Sequence, residues 1–166
     1  MQYLRQAGSD PSFLIKALNE ACGELRHALY GVPRRRLLEY ASGQDEGWCL
    51  LAVAAHMRDV EAGFLKQLEA IVDRRDGDIP HVDLDDIPLR EDYEHEDEDE
   101  VLEQFHYYRR HSNYVLWDLS PGQWERAGRH PYRGRLTITD LAREMYRHDL
   151  EHLWQARRML DELASR

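Results

Sequence analysis

Cysteine is scarce in this chain. There are two, Cys22 and Cys49, with no CxxC spacing. That excludes a disulfide framework and suits a reducing cytoplasm. Long apolar runs are missing too. Nothing approaches the roughly 18 residues that mark a membrane-spanning helix. The first residues are polar and unlike a signal peptide, so no membrane role is expected. There is also no basic stripe. Lys and Arg number 22 against 32 Asp and Glu, for a net charge of −10, which argues against nucleic-acid partners. The acidity itself is local. Residues 73–100 hold 14 acidic and 3 basic side chains, leaving 18 and 19 for the rest. It belongs to one segment and not to the fold. At 166 residues the chain reads as one domain over 1–166, long enough to bury a core.

What is present is helical periodicity. Asp10 and Pro11 open a first helix, as a cap and a favoured first residue. Leu14, Leu18, Ala21, Leu25 and Ala28 form its apolar stripe, and Gly31 and Pro33 end it near Tyr30. Residues 31–46 read as a connection that includes Arg34, Arg35 and Arg36. A second helix is expected from Gly47 to Asp73, apolar on nearly all sides over residues 48–55. From Arg74 to about Asp97, Gly77, Pro80 and Pro88 break any helix. This acidic stretch reads as a solvated crossover loop, and a connection this long fits a bundle with one long crossover. Its last acids favour the start of the next helix. That third helix is expected over 98–119, with Leu102, Phe105, Tyr108, Ser112, Val115 and Leu119 on one face. A small hairpin is expected around residues 130–134. Thr137 and Asp140 match a capping pattern, and a fourth helix then runs to about Ala164.

Three of the nine histidines fall on core stripes. On the fourth helix Ile138, Leu141, Met145, Met159 and Leu163 recur at three- and four-residue steps. His148 and His152 occupy that stripe where Leu or Val would be expected. Residues four apart share a helix face, with Cβ atoms about 5–6 Å apart, so two imidazoles can address one ion. Chance alone gives roughly 0.5 such pairs in a chain with this many histidines, so position and not spacing carries the inference. His56 sits in the middle of the apolar second helix, where Ala52 and Gly63 would leave room beside its ring. Buried polar groups need partners: these are core histidines bonded to carboxylates, or a metal site. Three neutral imidazoles make an open site, which is the catalytic pattern, whereas structural zinc sites are closed by four ligands. Asp59, Glu144 and Asp149 are candidates to orient a ligand through its second nitrogen. His106 and His111 lie off the stripes and read as surface residues. Trp48 and Trp154 read as packing residues.

A histidine in an apolar second helix, the Gly134-Arg135-Leu136-Thr137 helix start, and His148-x-x-x-His152-x-x-Gln155 together resemble the DinB/YfiT-like superfamily. The resemblance covers nearly the whole chain. It implies an all-α, up-down-down-up four-helix bundle with a long crossover between its second and third helices. It implies a divalent metal (nickel, zinc, iron or manganese) on His56, His148 and His152. It also implies a thiol-dependent transferase or isomerase using bacillithiol, mycothiol or a related low-molecular-weight thiol. Some relatives replace the first histidine of the pair with glutamate; this chain resembles the three-histidine branch. Gln155 would then touch substrate or metal-bound water, or else bond to backbone. Arg34, Arg35 and Arg36 would attract an anionic thiol, or simply be solvated.

Three functions compete. The first is a metal-dependent transferase joining a thiol to a small electrophile, since metals hold sulfur as the nucleophilic thiolate. The second is a metal-dependent hydrolase using water instead. The third is a non-catalytic, metal-binding, stress-associated bundle. The expected partners are a small-molecule substrate and a second copy of the chain. Tyr107, Trp117 and Trp124 are candidates for the dimer face.

Overall fold

The computed structural model describes residues 8, 10–45, 47–73, 77–82 and 93–165. In chain order these form α1 Pro11–Leu29, the single turn α2 Arg34–Leu37, α3 Leu50–Asp73, α4 Glu98–Trp117, a hairpin of β1 Ala127–His130 and β2 Gly134–Thr137, and α5 Ile138–Ser165. Among the described residues no helix is long and apolar enough to cross a membrane.

Local chemistry sets the boundaries. At α1 the Asp10 carboxylate accepts from the Phe13 N–H at 2.8 Å, and Gly31, at φ 73°, lies just beyond the helix end. The helix α3 begins three residues later than the apolar run implies. Gly47 turns the chain at φ 87°, and the Cys49 sulfur accepts from the Ala52 N–H at 3.4 Å. Cys49 therefore stands at the cap, and Trp48 is left outside the helix. The Asp97 carboxylate caps α4, accepting from the N–H groups of Asp99 and Glu100 at 3.1 Å each. Glu98, Asp99 and Glu100 complement the positive end of that helix. At α5, Asp140 accepts from both the N–H and the hydroxyl of Thr137, and its own N–H donates back to Thr137 Oγ1. Such caps contribute about 0.5–2 kcal/mol each.

Contacts give the helix directions. Phe13 meets Tyr146 and Glu24 pairs with Arg157, so α1 and α5 run parallel. Leu51 shares a cavity wall with Leu102, and ten residues on, Glu61 binds Arg109 and Ser112, so α3 and α4 are parallel as well. Between the pairs the sense reverses. Leu18 meets Arg109 while Cys22 meets His106, and His56 meets His152 while Phe64 meets His148. The bundle is up-down-down-up, with α1 packed on α4 and α5, and α3 packed on the same two. Two parallel neighbours require a connection that travels the length of the bundle, which is why the crossover between α3 and α4 is long.

Part of that crossover is anchored. Ile79 donates to Arg129 O at 3.0 Å and Arg129 donates to Gly77 O at 2.8 Å, tying residues 77–79 to β1. Gly128 permits this approach, because a Cβ there would lie 2.5 Å from Ile79 Cγ1 and 2.9 Å from Gly77 O. The room that the sequence placed between Gly63 and His56 is used by Val82, whose Cγ1 would be 2.6 Å from a Cβ at Gly63. Residues 83–92 of the acidic stretch lie outside the described residues. Its later part is not merely solvated: Glu96 holds the Arg58 guanidinium through both oxygens.

The arginine-rich connection is also built in. Arg34 pairs with Glu98, and Arg36 donates to Leu163 O at 2.6 Å, so α2 ties the ends of α4 and α5.

The largest departure is the phase of α4. Its buried face is Val101, Phe105, Arg109, Ser112 and Leu116, with Leu102, Tyr108, Val115 and Leu119 at the margin. This rotation puts Arg109 in the core at 1% exposure. One guanidinium then reaches the other three long helices. It donates to Leu18 O of α1 at 2.6 Å, to Glu61 of α3 at 2.7 Å, and to both oxygens of Asp149 of α5 at 2.6 and 3.0 Å. Burial works against its charge, but the Asp149 and Glu61 carboxylates more than offset this and hold its pKa well above the ordinary value.

Candidate metal centre

The antiparallel packing of α3 on α5 brings His56 against the helical pair His148 and His152. The ring centroids are 5.1 Å apart for His56 and His148, 4.7 Å for His56 and His152, and 4.4 Å for His148 and His152. One nitrogen from each ring lies within 4.8 Å of the other two. His56 Nε2 and His148 Nε2 face each other at 3.1 Å. Two nitrogens held about 2.0–2.1 Å from one tetrahedral ion would stand roughly 3.3 Å apart, so this pair already has ligand spacing. His56 is 4% exposed, while His148 and His152 are half-buried at the seam.

The cluster is suited to a cation by its protonation state. Burial pushes the His56 imidazole down to about 3, and His152 adds to the effect. Burial pushes His148 down to about 2, helped by His152, His56 and Arg109. His152 is lowered by burial also, against the opposing pull of Gln155 and Glu151. Three neutral rings offer lone pairs at neutral pH, the form in which imidazole binds metal. No fourth protein ligand joins the cluster among the described residues. The donor set therefore fits a divalent ion with open coordination positions.

The surroundings differ from the sequence expectation. None of the three carboxylates proposed to orient a histidine does so. Asp59 accepts from Arg58 at 2.7 Å and from the Tyr93 hydroxyl at 3.0 Å. Glu144 holds Arg133, and Asp149 holds Arg109. For Asp149 the reason is angular: one residue along a helix turns about 100°, so it points into the core when its neighbour His148 points at the seam. Asp59 and Glu144 lie at same-face spacing from a histidine but are taken by arginines instead. Gln155 supplies the only ring contact of this kind among the described residues: its Oε1 lies 2.7 Å from His152 Nδ1. It is 7% exposed, and among the described residues that oxygen meets the His152 ring and not backbone. The seam is walled by Trp48, 5.4 Å from the His56 ring and 6.0 Å from that of His152, and by Phe64, 6.3 Å from His148.

Other candidates lie elsewhere. His106 is exposed and meets Cys22 at 3.7 Å, and His111 stacks on Tyr107 at 4.4 Å. Trp154 is 59% exposed beneath Arg157, so it is no core packing residue. Trp124 is 3% exposed and cannot serve a dimer face. The sequence reading missed Arg109 and Glu61. The signal was available in the 101–105–109–112–116 spacing, but an arginine on such a stripe reads as a surface residue until its carboxylates are seen.

A parallel-paired four-helix bundle with an open three-imidazole seam defines a class of helical metal-site proteins. This chain belongs to the DinB superfamily, which it matches over residues 9–156. Among solved structures it is similar to YfiT from Bacillus subtilis, described as a probable metal-dependent hydrolase with an unusual four-helix bundle topology. The identity is 17%, the TM-score 0.82, and the match covers 93% of this chain and 87% of that one. None of the curated proteins compared matches the sequence.

Proposed function

We propose that this chain is a divalent-metal-dependent transferase that joins a low-molecular-weight thiol to a small electrophile. The observation that carries the reading is the convergence of three neutral imidazoles with no fourth protein ligand among the described residues. A divalent ion held there supplies Lewis acidity and lowers the pKa of a bound thiol or water. His56, His148 and His152 would hold it, with the rings of Trp48 and Phe64 beside them. The transfer balances simply: the thiol proton passes to solvent, a carbon–sulfur bond forms, and the leaving group departs with its electron pair. Asp59, Glu144 and Asp149 are engaged with Arg58, Arg133 and Arg109, and Glu151, beside His152 in sequence, is exposed, so no carboxylate is held at the seam as a general base among the described residues. That favours a nucleophile whose activation needs only the metal. A thiol pool of this kind also suits a cytoplasmic setting.

Hydrolysis is the second reading, favoured by the description of the similar YfiT structure. The two separate experimentally. Purified protein is assayed for bound metal, then offered an activated halide or epoxide with and without a panel of small thiols, and an activated ester without thiol. Thiol-dependent turnover lost on chelation supports the transferase. Ester cleavage without thiol supports the hydrolase. Bound metal with neither activity leaves a non-catalytic metal-binding bundle.

A further inference from the structure

The geometry points to Gln155 as the residue that sets the tautomer of His152 and so makes it a metal ligand through Nε2. This rests on the three-imidazole reading above.

Gln155 Oε1 lies 2.7 Å from His152 Nδ1. With its carbonyl oxygen turned to the ring the amide can only accept, which assigns the ring proton to Nδ1. A neutral imidazole carries one proton, which leaves Nε2 with its lone pair. One nitrogen of this ring lies within 4.8 Å of those of His56 and His148, and with Nδ1 engaged by Gln155 the lone pair free to join them is that of Nε2. The reverse tautomer would put a hydrogen on Nε2, pointing at two other imidazoles. The spacing is built into the helix, because residues three apart share a face. Gln155 is 7% exposed, so bulk water has little access to replace it.

The identity of the residue matters as well. Metal-bound histidines usually lean on a carboxylate, carbonyl or water through the second nitrogen. Here the partner is a neutral amide, which fixes the tautomer without adding negative charge behind the ligand. A carboxylate would make the imidazole a stronger donor and the ion a weaker Lewis acid. An amide leaves the ion more electrophilic, which is the property the proposed chemistry uses. His56 shows the contrast: its Nδ1 has no hydrogen-bond partner among the described residues, so only His152 is fixed in this way by a glutamine.

The test uses the full chain, stripped of metal and labelled with ¹⁵N histidine. Long-range ¹H–¹⁵N spectra should place the His152 proton on Nδ1 in the wild type. Gln155→Met, near in shape but unable to accept, should shift it toward Nε2–H. Gln155→Glu should keep it on Nδ1. Zinc titration against a chelator should then show Gln155→Met weaker by about 10–100-fold, with Gln155→Glu at least as tight as wild type. A wild-type proton on Nε2, or Gln155→Met binding zinc as tightly as wild type, would overturn the assignment. Were the wild type to bind no zinc, the metal reading would fall. The tautomer spectra would still decide the role of Gln155 by themselves.

Discussion

His56 differs from its two partners in what holds it. His148 and His152 are fixed to each other by one helix, whereas His56 reaches the seam only through the packing of α3 on α5. Replacing it with alanine should leave a two-imidazole site that holds zinc loosely, while His111→Ala, on the far face, should change nothing. Titration of the metal-stripped protein with zinc checks both, and equal affinity for wild type and His56→Ala would refute the three-ligand site. The same burial gives a pH dependence. In the unfolded chain these rings take up protons near about 6.5, but in the fold His56 does so only near about 3 and His148 near about 2. Below about 6.5 the unfolded state therefore binds more protons, and stability falls as pH drops toward 3. Above about 6.5 this source contributes no slope. Urea midpoints of metal-stripped protein at pH 7.5 and 5 should differ more for wild type than for His148→Asn.

Between helices, the Arg109 clasp holds the bundle at the level of the histidines. Replacing Arg109 with methionine would leave Glu61 and Asp149 buried without their cation, at a cost of about 3–5 kcal/mol. Urea unfolding measures this, and a loss below about 1 kcal/mol would show that the carboxylates find other partners. Gly128→Ala acts on a different junction. It should force residues 77–79 off β1, seen as faster amide exchange at Ile79, because the nearest obstruction includes the backbone oxygen of Gly77. Sequence periodicity reached the long helices and their caps because these are local: Asp10, Thr137 and Asp140 act within one turn. It placed His148 and His152 correctly on the seam for the same reason. It failed at α4, where hydrophobic phasing cannot anticipate a buried arginine whose partners lie 48 and 40 residues away. It failed too in assigning Asp59, Glu144 and Asp149 to the histidines, since nearness in sequence does not reveal the arginines, Arg58, Arg133 and Arg109, that hold them. The start of α3 was misplaced because Trp48 and Cys49 are apolar without being helical.

Across the whole molecule, the histidine seam between α3 and α5 lies on the opposite side from the seam between α1 and α4. That second face carries a groove of about 800 Å³ walled by Ile15, Lys16, Tyr107, His111, Tyr114 and Trp117. Three of its aromatics are exposed in one line along α4: Tyr107 at 56%, Tyr114 at 73% and Trp117 at 76%. Single exposed aromatics are ordinary, but a contiguous row is a mark of an interface. We assign it to a second copy of this chain, with Trp124 replaced by Tyr114 among the candidates read from the sequence. A fully buried aromatic covers about 150–250 Å², so these three, already partly covered, leave roughly 300–500 Å² to bury, about half of the 800 Å² per partner of a stable interface. The adjoining groove residues Ser12, Ile15, Lys16, Asn19 and Arg110 would add to it. Sedimentation velocity should show a dimer for the wild type, and Trp117→Glu should shift it to monomer while zinc affinity stays unchanged, because the histidines are on the other face. A wild type that remains strictly monomeric at high concentration would remove the assignment and leave the groove without a partner.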